Sequence, residues 1–86
     1  MANAKGSNED VEARLVDTIA DICGDDIVRE RRDVDLFEEG LLDSMAAIEL
    51  LVAIESDFGV SIAPTAVPRS EMNTVNKIVA QVLKRL

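Results

Sequence analysis

The stretch LLDSMAAIELL at residues 41–51 predicts the start of the helix around which the fold is organised. Gly40 permits a turn before it. Asp43 stands at the N-cap, where a carboxylate accepts hydrogen bonds from the free N–H groups of the first turn. The residues that follow are good helix formers. Ser44 is therefore expected at the first helical position, with its hydroxyl facing outward.

The composition favours one small helical domain with an aliphatic core. The 86 residues are 48% hydrophobic but include only two aromatic side chains, both Phe, which suits a helix bundle better than a β-rich fold. The net charge of −8 disfavours nucleic acid as a partner, because phosphate binding needs a basic patch. A single cysteine excludes an internal disulfide, and the lack of histidine leaves no Cys/His set for zinc.

The N-terminal residues give no sign of a targeting segment. Residues 1–7 are small and polar, and they are expected to form a disordered tail; they lack the apolar core of a signal peptide. Residues 8–86 then make a single domain. No apolar run approaches the length of a membrane span. We therefore expect a cytoplasmic protein that does not insert directly into a membrane. We also expect it to be a monomer.

Three amphipathic segments predict the main helices. The first spans residues 8–23 and ends at Gly24, the second spans residues 44–57, and the third starts near Asn73 or Thr74, either of which can cap it. The residues predicted to face inward are Met45, Ile48, Leu51, Val52 and Phe58 in the second helix, and Val75, Ile78, Val79, Val82, Leu83 and Leu86 in the third.

A long connection separates the first two helices. Residues 25–42 have no helical period, and Leu36 and Phe37 are expected to anchor them in the core. The arginines within residues 29–32 are expected to be solvated. Residues 64–72 are expected to hold one or two turns of irregular helix. Together these elements predict an all-α fold, a small four-helix bundle with a long first loop.

Ser44 is the candidate functional residue, but it cannot be a self-activated nucleophile. The chain has no histidine for a Ser–His–Asp relay, and the serine is not set in a G-x-S-x-G turn. A domain of this size is also too small to enclose a substrate in a pocket of the usual kind. Displayed at a helix start, Ser44 can still be a substrate that another enzyme modifies. The alternative is an unmodified helical interaction module, in which Asp43 and Ser44 merely start a helix.

Two other candidate sites are excluded. Asp33 and Asp35 resemble the opening of an EF-hand loop, but Glu38 occupies the position at which that loop needs glycine. Cys23 lies on the apolar stripe of the first helix with acidic residues close behind it, so we expect a buried, unreactive thiol. No metal site and no catalytic residue are predicted.

The charges are distributed unevenly around Ser44. Residues 33–57 contain acidic side chains but no lysine or arginine. After residue 58 the balance reverses, and Glu71 is the only acid among several basic residues. This arrangement predicts an electrostatic docking surface for a series of basic partner proteins, with fast and reversible encounters.

The segment from Gly40 to Met45 resembles the serine signature of acyl and peptidyl carrier proteins. The similarity extends from the first helix to the C-terminus. Members of this family are four-helix bundles whose signature serine carries a 4′-phosphopantetheine arm, so the resemblance implies that fold and that cofactor. It also implies that Ser44 is the attachment site and that Asp43 helps to position the serine for modification.

Within the family, two stretches are similar to the D-alanyl carriers of teichoic-acid D-alanylation. These are Leu42-Asp43-Ser44-Met45 and the run NTVNKIV at residues 73–79. The resemblance implies a carrier, not an enzyme, that holds D-alanine as a thioester. The alternative is a carrier for fatty-acid, polyketide or other aminoacyl chemistry.

The same resemblance implies partners and a surface that meets them. The expected partners are a phosphopantetheinyl transferase, an AMP-forming D-alanine–carrier ligase and a membrane O-acyltransferase. The residues expected to contact them are Met45, Ile48, Glu49 and Glu55.

Overall fold

The computed structural model describes residues 8–86, in which three α-helices are joined by loops and short 3₁₀ turns. Helix α1 spans Asn8–Cys23, α2 spans Ser44–Phe58 and α3 spans Val75–Leu83. No β-strand occurs in this range, and none of its helices is long and apolar enough to cross a membrane. The tail expected at residues 1–7 lies outside the described residues.

The all-α prediction is confirmed, but the count of four helices is not. In the described part of the chain, the irregular helix expected at residues 64–72 is a single 3₁₀ turn, Arg69–Glu71. Pro68 precedes this turn and supplies no capping side chain, so little stabilises a longer helix there. A second 3₁₀ turn, Asp26–Arg29, lies in the first loop, where the sequence predicts no helical period.

Glycine residues in the left-handed conformation end both α1 and α2. Gly24 and Gly59 each have a φ of 70°. Their N–H groups donate to the carbonyls of Ala20 and Glu55 at 2.8 and 2.9 Å. Glycine adopts these backbone angles without the strain that a side chain adds. The predicted end of α1 is confirmed, and α2 ends one residue later than predicted.

The predicted inner face of α2 is wrong at three of its residues. Met45, Ile48 and Val52 are 74, 51 and 62% exposed, whereas Leu50 and Ile54 are buried. Aliphatic side chains surround much of α2, so their spacing does not tell which side meets α1. Packing against α1 selects the side with Leu50 and Ile54. The other two residues of the predicted face are partly buried against the core.

The core is aliphatic and lies where α1 packs against α2 and α3. Loop residues complete it: Leu36, Val60 and Ile62 are buried and Phe37 is partly buried, which confirms the predicted anchoring of the first loop. Full burial of one such aliphatic side chain contributes on the order of 1.5–3 kcal/mol. The buried hydrophobic residues of the helices are Leu15, Val16, Ile19 and Ala20 in α1, Leu50 and Ile54 in α2, and Val75, Ile78, Val79 and Val82 in α3.

Two arginines of the first loop connect it to α1. Arg29 forms ion pairs with Asp17 and with Asp26, and Arg32 forms one with Glu12. The groups around Arg29 are exposed, so each of its ion pairs contributes little to stability. Arg29 is solvated as predicted, whereas Arg32 is half-buried.

The stripe of α3 is confirmed except at its end. Thr74 caps the helix, and its hydroxyl oxygen accepts a hydrogen bond from the N–H of Lys77 at 3.1 Å. Val82 is fully buried. Leu86, which the spacing assigns to the same face, is 59% exposed because the helix ends at Leu83.

Val82→Asp should severely destabilise the domain. An unpaired buried carboxylate costs several kcal/mol, against a total stability of about 5–15 kcal/mol. Leu86→Asp is the matched control, because it places the same side chain at an exposed position, and it should melt close to wild type. Thermal unfolding followed by circular dichroism measures both variants. Equal melting temperatures would show that Val82 does not face a core.

Candidate functional site

Asp35 fixes the first loop against the segment that precedes α3. Its Oδ1 accepts hydrogen bonds from the N–H groups of Phe37 and Glu38 at 2.9 and 3.1 Å, and its Oδ2 accepts one from Asn73 Nδ2 at 2.7 Å. The N–H of Leu36 donates to the carbonyl of Asn73 at 2.7 Å. Together these bonds hold the loop in one position relative to α3.

The same hydrogen bonds lower the pKa of the Asp35 carboxyl. The bond from the N–H of Glu38 is the largest cause. Partial desolvation opposes it, and the bonds from Asn73 and Phe37 lower the pKa further. Because hydrogen bonds to a carboxylate favour its charged form, Asp35 stays ionised at neutral pH and acts as a structural acceptor.

The turn before α2 is closed by the carbonyl of Leu36. It accepts hydrogen bonds from the N–H groups of Leu41 and Leu42 at 2.9 and 3.1 Å. Gly40, with a φ of 72°, supplies the left-handed residue that this turn needs. The predicted turn is confirmed. It delivers the chain from the anchored loop to Ser44.

Ser44 is the first residue of α2 and lies exposed. The backbone of Asp43 is extended, and its Oδ1 accepts a hydrogen bond from the N–H of Ala46 at 2.8 Å, which confirms the predicted N-cap. Arg69 Nη2 donates to Ser44 Oγ at 3.4 Å. The serine is therefore displayed at a helix start as predicted, and a guanidinium lies beside it.

An open, mainly apolar groove of about 250 Å³ lies beside Ser44. This volume is below the range of about 300–1,000 Å³ that is usual for small-molecule sites. The groove is also open to solvent, so it can cover part of a flexible group attached nearby without enclosing it. Its walls include Phe37 and Leu42 from the first loop, Ile48 and Leu51 from α2, and Val67 and Met72 from the segment before α3.

The four predicted contact residues lie together on one exposed side of α2. Met45, Ile48, Glu49 and Glu55 are all exposed, and their spacing places them on one side with Val52. We call these five residues the α2 surface. Neither glutamate forms an ion pair within residues 8–86. The exposure of Met45 and Ile48 fits the predicted partner contact and contradicts their predicted burial.

The position of Arg69 was not predictable from the sequence. The sequence shows Arg69 only as one of the basic residues after residue 58. The segment 64–72 has no period, however, so no spacing indicates which of its side chains reach Ser44. The positions of the groove residues Pro64 and Val67 were not predictable for the same reason, because they belong to this segment without a helical period.

Cys23 is half-buried at the end of α1. Burial is the main cause that raises the pKa of its thiol, and the negative charge of Asp25 raises it further. A thiol is nucleophilic only as the thiolate. These surroundings therefore agree with the predicted unreactive cysteine.

Comparison with known proteins defines the class of this site. Residues 13–82 match the family model described as a phosphopantetheine attachment site. The match runs from α1 to the buried end of α3. The chain therefore belongs to the phosphopantetheine attachment-site family, whose small carrier domains bear 4′-phosphopantetheine, typically on a serine.

Curated relatives define the group within that family. The D-alanyl carrier protein of Bacillus velezensis is 49% identical over 65 residues, which cover 76% of this chain and 83% of the relative. The D-alanyl carrier protein of Bacillus subtilis is 46% identical over 72 residues, which cover 84% of this chain and 92% of the relative. The D-alanyl carrier protein of Lactococcus lactis subsp. cremoris is 45% identical over 75 residues, which cover 87% of this chain and 95% of the relative. The resemblance to D-alanyl carrier proteins is confirmed.

The residues at the start of α2 fit a phosphopantetheine group. Ser44 is exposed, the open groove begins beside it, and Arg69 places a cation near its Oγ. When bound, the group supplies a thiol that can hold an acyl group as a thioester.

Asp35→Asn should remove part of the pH dependence of stability. Because folding lowers the pKa of Asp35, its contribution is present above the unfolded pKa of about 4 and is lost as the pH falls through the lower folded pKa. Wild type should therefore lose stability below about pH 4 more steeply than the variant. Urea unfolding over this pH range measures the slopes.

Asp33→Asn is the control for that measurement, because Asp33 is an exposed neighbour with the same charge. Asp33→Asn should lose stability below about pH 4 as steeply as wild type does. If Asp35→Asn did so as well, the bonds of Asp35 would not stabilise the charged form.

Proposed function

We propose that Ser44 is the attachment site of 4′-phosphopantetheine, and that the chain carries D-alanine as a thioester for the D-alanylation of teichoic acids in the cell wall. The observation that carries the proposal is the exposed serine hydroxyl at the start of α2, inside the region that matches the family. The relatives named as D-alanyl carrier proteins support the cargo. Residues 8–86 then form a single carrier domain.

In this proposal the chain is a substrate of its modifying enzyme. Ser44 Oγ forms a bond to a phosphorus of coenzyme A, the bond from that phosphorus to the nucleotide portion breaks, and the Oγ proton passes to a base. The chain has no histidine, and we assign that base to the phosphopantetheinyl transferase. Asp43 is proposed to position the serine for Mg²⁺-bound coenzyme A, since its carboxylate is exposed and its bond to Ala46 fixes the helix start.

The proposed cargo does not need a closed pocket. D-alanine is small and polar, so it gains little from burial among aliphatic side chains. An open groove and a flexible arm are sufficient to present it to successive enzymes. The apolar lining of the groove favours a second candidate, a carrier of fatty-acid, polyketide or other aminoacyl groups.

The α2 surface is the proposed docking site for three partners. These are the phosphopantetheinyl transferase, an AMP-forming D-alanine–carrier ligase and a membrane O-acyltransferase. Met45 and Ile48 would supply apolar contact, while Glu49 and Glu55 would steer basic partner surfaces. Loading that consumes ATP favours a cytoplasmic location. We propose a monomer that meets the membrane only through the acyltransferase.

Wild type should gain one phosphopantetheine group when incubated with a phosphopantetheinyl transferase, coenzyme A and Mg²⁺, and Ser44→Ala should gain none. Ser56→Ala is the matched control, because Ser56 is an exposed serine on the same helix, and it should be modified like wild type. Intact mass spectrometry measures the gain. Modification of Ser44→Ala, or no modification of wild type, would refute the assignment of the site.

The phosphopantetheine-bearing (holo) protein should accept D-alanine from a D-alanine–carrier ligase with ATP. It should accept fatty acids from their own synthetase far more slowly. The reason is recognition of the protein surface by the ligase, because the chain does not enclose the cargo. A thioester assay with radiolabelled D-alanine or fatty acid measures both reactions. Efficient fatty acylation without uptake of D-alanine would favour the second candidate.

A further inference from the structure

Arg69 is the basic side chain that the fold brings to Ser44. Its Nη2 lies 3.4 Å from Ser44 Oγ, although the two residues are 25 positions apart. We propose that Arg69 binds the phosphodiester through which the arm is attached to Ser44, and so positions the start of the arm at the mouth of the groove. This inference rests on the proposed function, and it assigns a role to a residue that the proposed function does not use.

The charge around Ser44 favours such a cation. A phosphodiester carries a negative charge, and on Ser44 it would be attached to the residue next to the acidic Asp43. All charged residues in the segment 33–57 are acidic, so this segment offers no counter-charge. Arg69 comes from the 3₁₀ turn before α3 and lines the groove that begins at Ser44. It supplies positive charge that the local sequence lacks.

The guanidinium of Arg69 is held in place before any group is attached. Its Cζ lies 4.2 Å from the centre of the Phe37 ring, a distance typical of a cation–π contact. The N–H of Phe37 is bonded to Asp35, so the ring belongs to the anchored part of the loop. A side chain ordered in advance loses less entropy when it binds.

The geometry of the guanidinium suits a phosphate better than it suits the serine hydroxyl. A separation of 3.4 Å is long for a hydrogen bond to a hydroxyl oxygen. A phosphorus bonded to Oγ carries other oxygens that extend beyond Oγ and can come within reach of the guanidinium. Arginine has five N–H donors in a planar fork, which matches two phosphate oxygens at once.

A purely structural role for Arg69 makes a different prediction. If Arg69 only packs on Phe37, its replacement destabilises the unmodified (apo) protein and the holo protein equally. If it binds the phosphodiester, the replacement weakens the holo protein more. The difference in melting temperature between the holo and apo forms therefore separates the two roles.

The test compares wild type, Arg69→Gln and Arg31→Gln, each as apo and holo protein. Arg31 is an exposed arginine of the first loop, so its variant has the same change in net charge. Melting temperatures are measured at low and high salt, and the ³¹P NMR shift of each holo protein is recorded. Intact mass first confirms that each holo sample carries the group.

At low salt, Arg69→Gln should lower the holo-minus-apo difference in melting temperature by about 2–4 °C, and Arg31→Gln should leave it unchanged. High salt should reduce the effect, because an exposed ion pair is screened. The ³¹P resonance should move in Arg69→Gln alone.

Two results would overturn the inference, and they are distinguishable. If wild type gains no group on Ser44, the proposed function and the role of Arg69 both fail. If every protein is modified but Arg69→Gln keeps the wild-type difference and the wild-type ³¹P shift, the carrier function stands and the role of Arg69 fails.

Discussion

The hydrogen bonds between the first loop and Asn73 are the constraint on which the functional end of the molecule depends. The Asp35 carboxylate accepts a hydrogen bond from the side-chain amide of Asn73, and the N–H of Leu36 donates one to the backbone carbonyl of Asn73. The buried side chain of Leu36 anchors the same point in the core. The carbonyl of Leu36 then closes the turn that leads into Ser44. The start of α2 is therefore positioned by contacts with Asn73, which lies just before α3 and far away in the sequence.

The structure separates the groups that hold the fold from the groups that meet other molecules. The core is aliphatic and includes one side of α2. The opposite side of α2 keeps the large apolar residues Met45, Ile48 and Val52 exposed, as is common where a protein meets a partner. Ser44 lies at the N-terminal end of that helix, beside the groove. One helix thus serves as core element, as display for the serine and as proposed docking surface.

The sequence predicts the helices well because their apolar residues repeat at helical spacing and their caps are local. The N-caps Asp43 and Thr74 and the end at Gly24 depend on near neighbours, and the structure confirms all three. The inner face of α2 was not predictable, because both of its sides are apolar and packing against α1 decides between them. The predicted burial of Leu86 is wrong because the apolar spacing continues in the sequence beyond Leu83, where α3 ends.

The candidate site was only partly predictable from the sequence, because half of it is built from distant residues. Ser44 and its cap lie within one motif. The groove and the contact from Arg69 form only when residues 64–72 fold back against α2, and that segment has no period to indicate its course. A motif therefore indicates which residue is modified, whereas the fold determines which residues surround it.

The proposed function is the delivery of D-alanine to teichoic acids through Ser44. The most direct measurement is the content of D-alanine esters on teichoic acids in a bacterium whose own D-alanyl carrier protein has been deleted. We expect expression of wild type to restore the esters and expression of Ser44→Ala at the same level to leave them absent. If wild type is expressed, bears its phosphopantetheine group and accepts D-alanine from the host ligase, yet restores no esters, the account is contradicted.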